Sequence, residues 1–182
     1  TLIKDMKGKT TVDVKEKNQV VVRTEGKWGE NIICSISTTF YNDGVFVSQF
    51  TLTPEKDRLL SQGIRQELSV RGHFTHYLHK RRDTYGFDCY QGEIPKIGET
   101  SRVYTPTSCL EVYSNKSALA MFTDMGDFYR SPQELDTGAV RIDAVEGEEV
   151  SLNIHQHLIH VGEKGEPYTL QVGKPFVFRI GL

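Results

Sequence analysis

Histidine stands in two triplets in this chain, NIHQHLIHV at 153–161 and GHFTHYLHK at 72–80, and these six are all that its 182 residues contain. Read as a strand, EVSLNIHQHLIH sends Val150, Leu152, Ile154 and Leu158 to one side and Ser151, Asn153, His155 and His157 to the other. His155 and His157 are then neighbours about 7 Å apart, two strand rises along the backbone, while His160 falls on the opposite side. Two imidazoles from one strand suit a divalent transition metal when a third ligand converges from another element; here that is Glu163 or a histidine from a neighbouring strand. A solvated outer face accounts for the same pair without a metal. So does a subunit contact that responds to pH, because imidazole titrates near neutrality.

The second triplet reads differently. In LSVRGHFTHYLHKRR an unbroken strand turns Leu68, Val70, Phe74 and Leu78 inward with His76 among them, and Ser69, Arg71, His73, Thr75, Tyr77 and His79 outward. His73 and His79 are then roughly 20 Å apart and cannot share an ion. Three resemblances attach to the later triplet. HQHLIH resembles the H-x-H-x-D-H string of metallo-β-lactamase-like hydrolases, with Ile159 in the aspartate's place. His155, His157 and Glu163 resemble the cupin ligand set, the glutamate coming one residue late, which implies a metal-dependent enzyme centred on the His-x-His strand. An H-x-H strand repeated about a symmetry axis resembles phage spike proteins and implies one ion per oligomer.

Other residues offer recognition more than catalysis. HKRRD at 79–83 gathers Arg81 and Arg82, with Arg65, Arg71, Phe74 and Tyr77 close in sequence. Such basic and aromatic mixtures hold single-stranded nucleic acid or an acidic sugar. The net charge of −2, from 22 basic and 24 acidic side chains, weighs against nucleic acid. The segment FTDMGDFYRSPQELDTG at 122–138 follows neither period and reads as a long loop, with Asp124, Asp127, Tyr129 and Arg130 suited to sugar or protein contact. Trp28 in EGKWGE is either a stacking platform or the cover over one end of a core. No phosphate-cradling loop and no dinucleotide fingerprint occurs.

Positioning these residues falls to strands. Short runs with period two, among them NQVVVRT, NIICSISTTF, GVFVSQFTL, EVSLNIHQHLI and FVFRI, alternate with turn signals such as YNDG, VEGEE and VGKP. About a dozen strands suffice for two packed sheets. TTFYNDGVFVSQF reads as a tight hairpin, because Asn, Asp and Gly tolerate positive φ. LTPEKDRLLSQG reads as a short crossover helix, with Thr53 as cap, Pro54 in the first turn and Gly63 as stop. The expected fold is therefore all-β: a two-sheet β-sandwich of jelly-roll type with one short crossover helix, a single domain over 1–182. TGAVRIDAVEGEEVSLNI with the terminal FVFRIGL resembles the closing strands of tumour-necrosis-factor-like jelly rolls over less than a third of the chain.

Cys34, Cys89 and Cys109 allow at most one bridge, and Cys34 reads as a buried thiol within NIICSISTTF. No apolar run reaches the roughly 18 residues a membrane helix needs. The start at Thr1 reads as trimmed, which leaves open a targeting segment before it. Together these features set the expectation of a non-catalytic binding or structural module of adhesion, capsid or receptor-contact type. It would act through loops and an outer sheet face, with a protein or glycan partner, self-association and an extracellular or virion surface setting.

Overall fold

The computed structural model describes residues 6–60, 64–83, 86–103, 107–123, 140–145, 151–159 and 168–182. It is all-β: fifteen strands and no helix among the described residues. The chain divides into two compact units, 1–60 with 169–182, and 61–168.

In the first unit β1 (Lys7–Lys15), β2 (Gln19–Lys27), β3 (Ile32–Tyr41) and β4 (Phe46–Pro54) follow one another as antiparallel hairpins, and β15 (Phe176–Gly181) pairs along β4. β5 (Arg58–Leu60) pairs separately with β14 (Tyr168–Leu170). Alternation makes one side of the sheet dry. Cys34 stands opposite Leu52 and Leu52 opposite Phe176; in the next inward row Ile36 faces Phe50 and Phe50 faces Phe178. Cys34 and Leu52 are fully buried, and the Phe50 and Phe178 rings stack with centroids 4.7 Å apart. Each such aliphatic or aromatic side chain withdrawn from water contributes about 1.5–3 kcal/mol. Burial also pushes the Cys34 thiol up to about 11, since a thiolate there would lose its hydration.

The expected hairpin forms at 41–45. Tyr41 N–H donates to the Val45 carbonyl at 2.9 Å, Asp43 Oδ1 accepts from Val45 N–H at 3.1 Å, and Gly44 supplies the positive φ of 90°. The expected crossover helix does not form. β4 carries Thr53 and Pro54 in extended conformation, Pro54 opposite Ile32, and β5 takes up Arg58–Leu60; residues 61–63 lie outside the described set. The local signature was a genuine helix start, but Leu52 and Pro54 are both buried on the strand's inner side. A helix beginning at 53 would break that two-residue alternation, so packing overrides the capping preference. Asp57 serves a different end: its carboxylate accepts from Val172 N–H at 2.7 Å, just past β14.

The second unit holds two four-stranded antiparallel ladders. Its strands are β6 (Ile64–Arg71), β7 (His76–Asp83), β8 (Gly86–Glu93), β9 (Thr100–Val103), β10 (Thr107–Tyr113), β11 (Ala118–Thr123), β12 (Val140–Val145) and β13 (Ser151–Ile159). One ladder runs β8-β7-β10-β11 and the other β6-β13-β12-β9. Each has a dry side, Leu110, Val112 and Met121 in the first and Ile142, Ala144, Leu152 and Ile154 in the second. This gives the unit a sandwich-like core.

The unbroken strand expected across residues 68–82 is in fact two. β6 stops at Arg71, Gly72 turns with φ of 156°, and β7 begins at His76. The interruption resets the phase, and the histidines exchange places. His76, expected inside, is exposed; its ring stacks on Tyr113 and its Nδ1 lies 2.8 Å from Thr75 Oγ1. His79, expected outside, is only 6% exposed and lies between the Tyr77 and Tyr90 rings, at centroid distances of 6.2 and 5.1 Å. It stands in a row with buried Leu110 and Met121 and, on the edge strand β8, exposed Tyr90.

Candidate functional site

β13 is extended over the whole His-x-His segment, and Leu152 and Ile154 are 0% and 2% exposed. They pack beside Ala144 and Ile142, their direct partners on β12. Leu152 and Ile154 are thus committed to the core, and the odd-numbered positions of β13 pair in rows of their own across the ladder. The central row is Glu67, His155, Arg141 and Arg102, one residue from each of β6, β13, β12 and β9. Toward one end of β13, His157 stands opposite Arg65. Toward the other, Asn153 stands between Ser69 and Asp143, with Thr100 beyond, and Ser151 stands opposite Arg71. Ser69 and Arg71 are exposed.

Direct partners across an antiparallel pair have Cα atoms about 4.5–5.5 Å apart, and successive rows repeat about every 7 Å. Within that spacing the central row brings together a carboxylate residue, an imidazole residue and two guanidinium residues. Three of these, Glu67, Arg102 and Arg141, were not singled out as site residues from the sequence. They lie 88, 53 and 14 positions from His155, and only strand register joins them. The sequence signal available was weak: a charged residue at each outward position of a half-buried strand, which also describes any solvated face.

Glu163, Asp124, Asp127, Tyr129, Arg130 and His160 lie outside the described residues. Register gives His155 and His157 each an arginine as direct neighbour, Arg141 and Arg65. Arg81 and Arg82 sit in β7 opposite Asp88 and Phe87, with Arg81 also facing Thr107 on β10, and so join a different ladder from His155. Trp28 follows β2 in the first unit, half-buried, its N–H donating to the Ile32 carbonyl at 2.8 Å.

A cleft of about 370 Å³ opens in the second unit beside the start of β7. Phe74, Ile94 and Ile97 give it apolar walls, and His76, Glu93 and Lys96 give it polar ones. Its frame is backbone: Ile94 N–H donates to the Thr75 carbonyl at 2.9 Å, and Thr75 N–H to the Tyr113 carbonyl at 3.0 Å. His76 and Glu93 are direct cross-strand partners.

The fold and this polar ladder define an all-β, sandwich-like protein with acid, base and cationic residues gathered on one sheet. No family model matches the chain, and no curated protein does. In shape it is similar to the crystal structure of a putative aldose 1-epimerase from Escherichia coli K12, with a TM-score of 0.56 over 96% of this chain and 67% of that one, at 9% sequence identity. At that identity the likeness establishes the fold. It also corrects the expectation of a non-catalytic adhesion, capsid or receptor-contact module, because the fold is shared with a protein described as a putative aldose 1-epimerase. The physical reason for the error is that the want of a contiguous catalytic motif means little in a sheet, where reactive groups are drawn one per strand. Among the described residues no helix is long and apolar enough to cross a membrane.

Proposed function

We propose that the chain acts on carbohydrate as an enzyme, with its working residues on the β6-β13-β12-β9 ladder and Glu67 and His155 as its proton-transfer pair. The observation that carries this reading is their direct cross-strand pairing at the middle of the ladder, together with the fold shared with a putative aldose 1-epimerase. Epimerisation at C1 of an aldose is proton chemistry. A base takes the proton of the anomeric hydroxyl, the C1–O5 bond breaks, and an acid protonates the ring oxygen. Rotation about C1–C2 and the reverse steps close the other anomer, with no net gain or loss of protons. A carboxylate and an imidazole are side chains commonly used as general acid and base for such proton transfers. Arg141, the other direct neighbour of His155, supports negative charge as it develops on oxygen. Asp124, Asp127, Tyr129 and Arg130 of the 122–138 segment stay in this reading as candidate sugar contacts.

The test is polarimetry on freshly dissolved single anomers of a panel of aldoses, with and without protein. The expected result is acceleration over buffer that falls about 10²- to 10⁴-fold in Glu67→Gln and in His155→Ala. Chelation with EDTA is expected to leave the rate unchanged, since no step needs a metal; loss of activity on chelation would return His155 and His157 to the role of metal ligands. Folded protein that accelerates no member of the panel would sink the reading.

A further inference from the structure

The cleft beside the start of β7 takes no part in the chemistry assigned to Glu67 and His155. Its volume of about 370 Å³ falls within the roughly 300–1,000 Å³ usual for small-molecule sites. Part of its wall is a turn that follows β8. Glu99 N–H donates to the Lys96 carbonyl at 2.8 Å, Lys96 N–H to Glu99 Oε2 at 3.2 Å, and Gly98 N–H to the carbonyl of buried Ala144 at 3.0 Å. Gly98 supplies the φ of 83° that the third residue of such a turn requires. So held, the turn leaves Ile97 53% exposed at the cleft. Its side chain buries little apolar surface in the fold, and a ligand entering beside Phe74 and Ile94 would cover it.

His76 and its neighbours bring the polar chemistry. The single hydroxyl proton of Thr75 goes to the Tyr113 carbonyl, 3.4 Å away. Thr75 Oγ1 is then the acceptor for His76 Nδ1 at 2.8 Å, so Nδ1 carries the ring proton and Nε2 of the neutral ring presents a lone pair. Stacking on Tyr113, at a centroid distance of 5.6 Å, fixes the plane of the imidazole. Glu93, the direct cross-strand partner of His76, adds a second acceptor, and Lys96 adds a donor. One acid and one ammonium among the lining residues leave no net charge to attract an ion. A free amino acid matches the two charges, but Glu93 and Lys96 are both exposed, and ion pairs made in water contribute little. A sugar ring matches more of the site. Its hydroxyls donate to Glu93 and Nε2 and accept from Lys96, while its C–H face covers the apolar wall.

We infer that this cleft binds a neutral sugar ring, with Phe74, Ile94 and Ile97 against its C–H face and Glu93, His76 and Lys96 on its hydroxyls. The ligand class rests on the carbohydrate reading above; the place is a second site, sharing no residue with the Glu67–His155 pair. Because the turn is already fixed, little ordering is needed on binding.

The experiment is saturation-transfer NMR titration of the intact chain with the methyl glycosides of glucose, galactose and mannose, and with leucine and inorganic phosphate. Methyl glycosides have no free anomeric hydroxyl and are not turned over, so binding is read apart from catalysis. At least one glycoside is expected to bind saturably and more tightly than leucine or phosphate. Glu93→Gln, Lys96→Met and Ile97→Ser, all at exposed positions and checked for folding by circular dichroism, are each expected to weaken it by roughly three- to ten-fold, about the worth of one lost contact. The rate of anomer interconversion is expected to stay at the wild-type value in all three. Glycoside binding that none of the substitutions weakens overturns the inference and leaves the carbohydrate reading standing. Failure of every glycoside to bind overturns it too, and so does tighter binding of leucine, the cleft then being an amino-acid site. Glycoside binding lost in these variants of a protein that interconverts no anomers keeps the inference and removes the enzyme reading.

Discussion

Replacing Gly92 by alanine would drive a methyl group into the ring of Tyr77. The two residues are direct cross-strand partners of β7 and β8, and a Cβ built on Gly92 falls 2.6 Å from the Tyr77 Cζ and hydroxyl oxygen and 2.8 Å from Cε1. Ordinary carbon contacts begin near 3.5 Å, so the ring must retreat by about an ångström. It has little room, because Tyr77 stacks on His79, which is itself buried against Tyr90. Overpacking of this kind costs about 1–3 kcal/mol. For a chain of this size each kcal/mol lowers Tm by about 2–4 °C. The assay is thermal unfolding followed by circular dichroism for the wild type, Gly92→Ala, Tyr77→Ala and the double variant. With the ring gone the three nearest atoms to the added methyl are gone with it, and alanine is preferred to glycine within a strand by about 0.5–1 kcal/mol. Gly92→Ala is therefore expected to destabilise in the wild-type background and to stabilise slightly in the Tyr77→Ala background. A cycle in which the two changes simply add, or a Gly92→Ala Tm within 1 °C of wild type (about half the shift of the smallest expected cost), would refute this account of the ladder.

Two further outcomes follow from burial. Leu152→Ala removes a fully buried side chain beneath the polar row and is expected to cost about 2–5 kcal/mol, measured by urea unfolding; because β13 also carries His155, sugar turnover should fall with it, while an unchanged midpoint would mean that β13 is not part of the core. The Cys34 thiol is raised from an ordinary 9.0 to about 11 by burial, so below pH 9 it is neutral in both folded and unfolded chains and adds no pH dependence. Between about pH 9 and 11 the unfolded chain gives up this proton first, binds fewer protons than the folded one, and stability falls, by about 2–3 kcal/mol in all. Cys34→Ala should remove that slope, and in native protein a thiol reagent should label exposed Cys89 well before Cys34.

Much of the architecture was legible before any coordinates. Alternation in NIICSISTTF and EVSLNIHQHLI identified Cys34, Leu152 and Ile154 as interior, and Asn42-Asp43-Gly44 marked a hairpin turn, because both signals depend on residues within a few positions of one another. The helix expected at 52–63 failed for the complementary reason. Thr53 and Pro54 carried a local preference, but Leu52 and Pro54 gained more from burial against strands that arrive from elsewhere in the chain. The exchange between His76 and His79 had a third cause: alternation fixes relative phase only within one strand, and the turn at Gly72 ended that strand.

By itself the sequence determined that the chain is all-β and that the segment around His155 and His157 is extended. Only tertiary structure decided who stands beside them. Pairing Glu67, Arg141 and Arg102 with His155 depends on the register of three separate strand contacts, and register is selected by how apolar rows mesh across the core, not by the identity of the outward residues it happens to align.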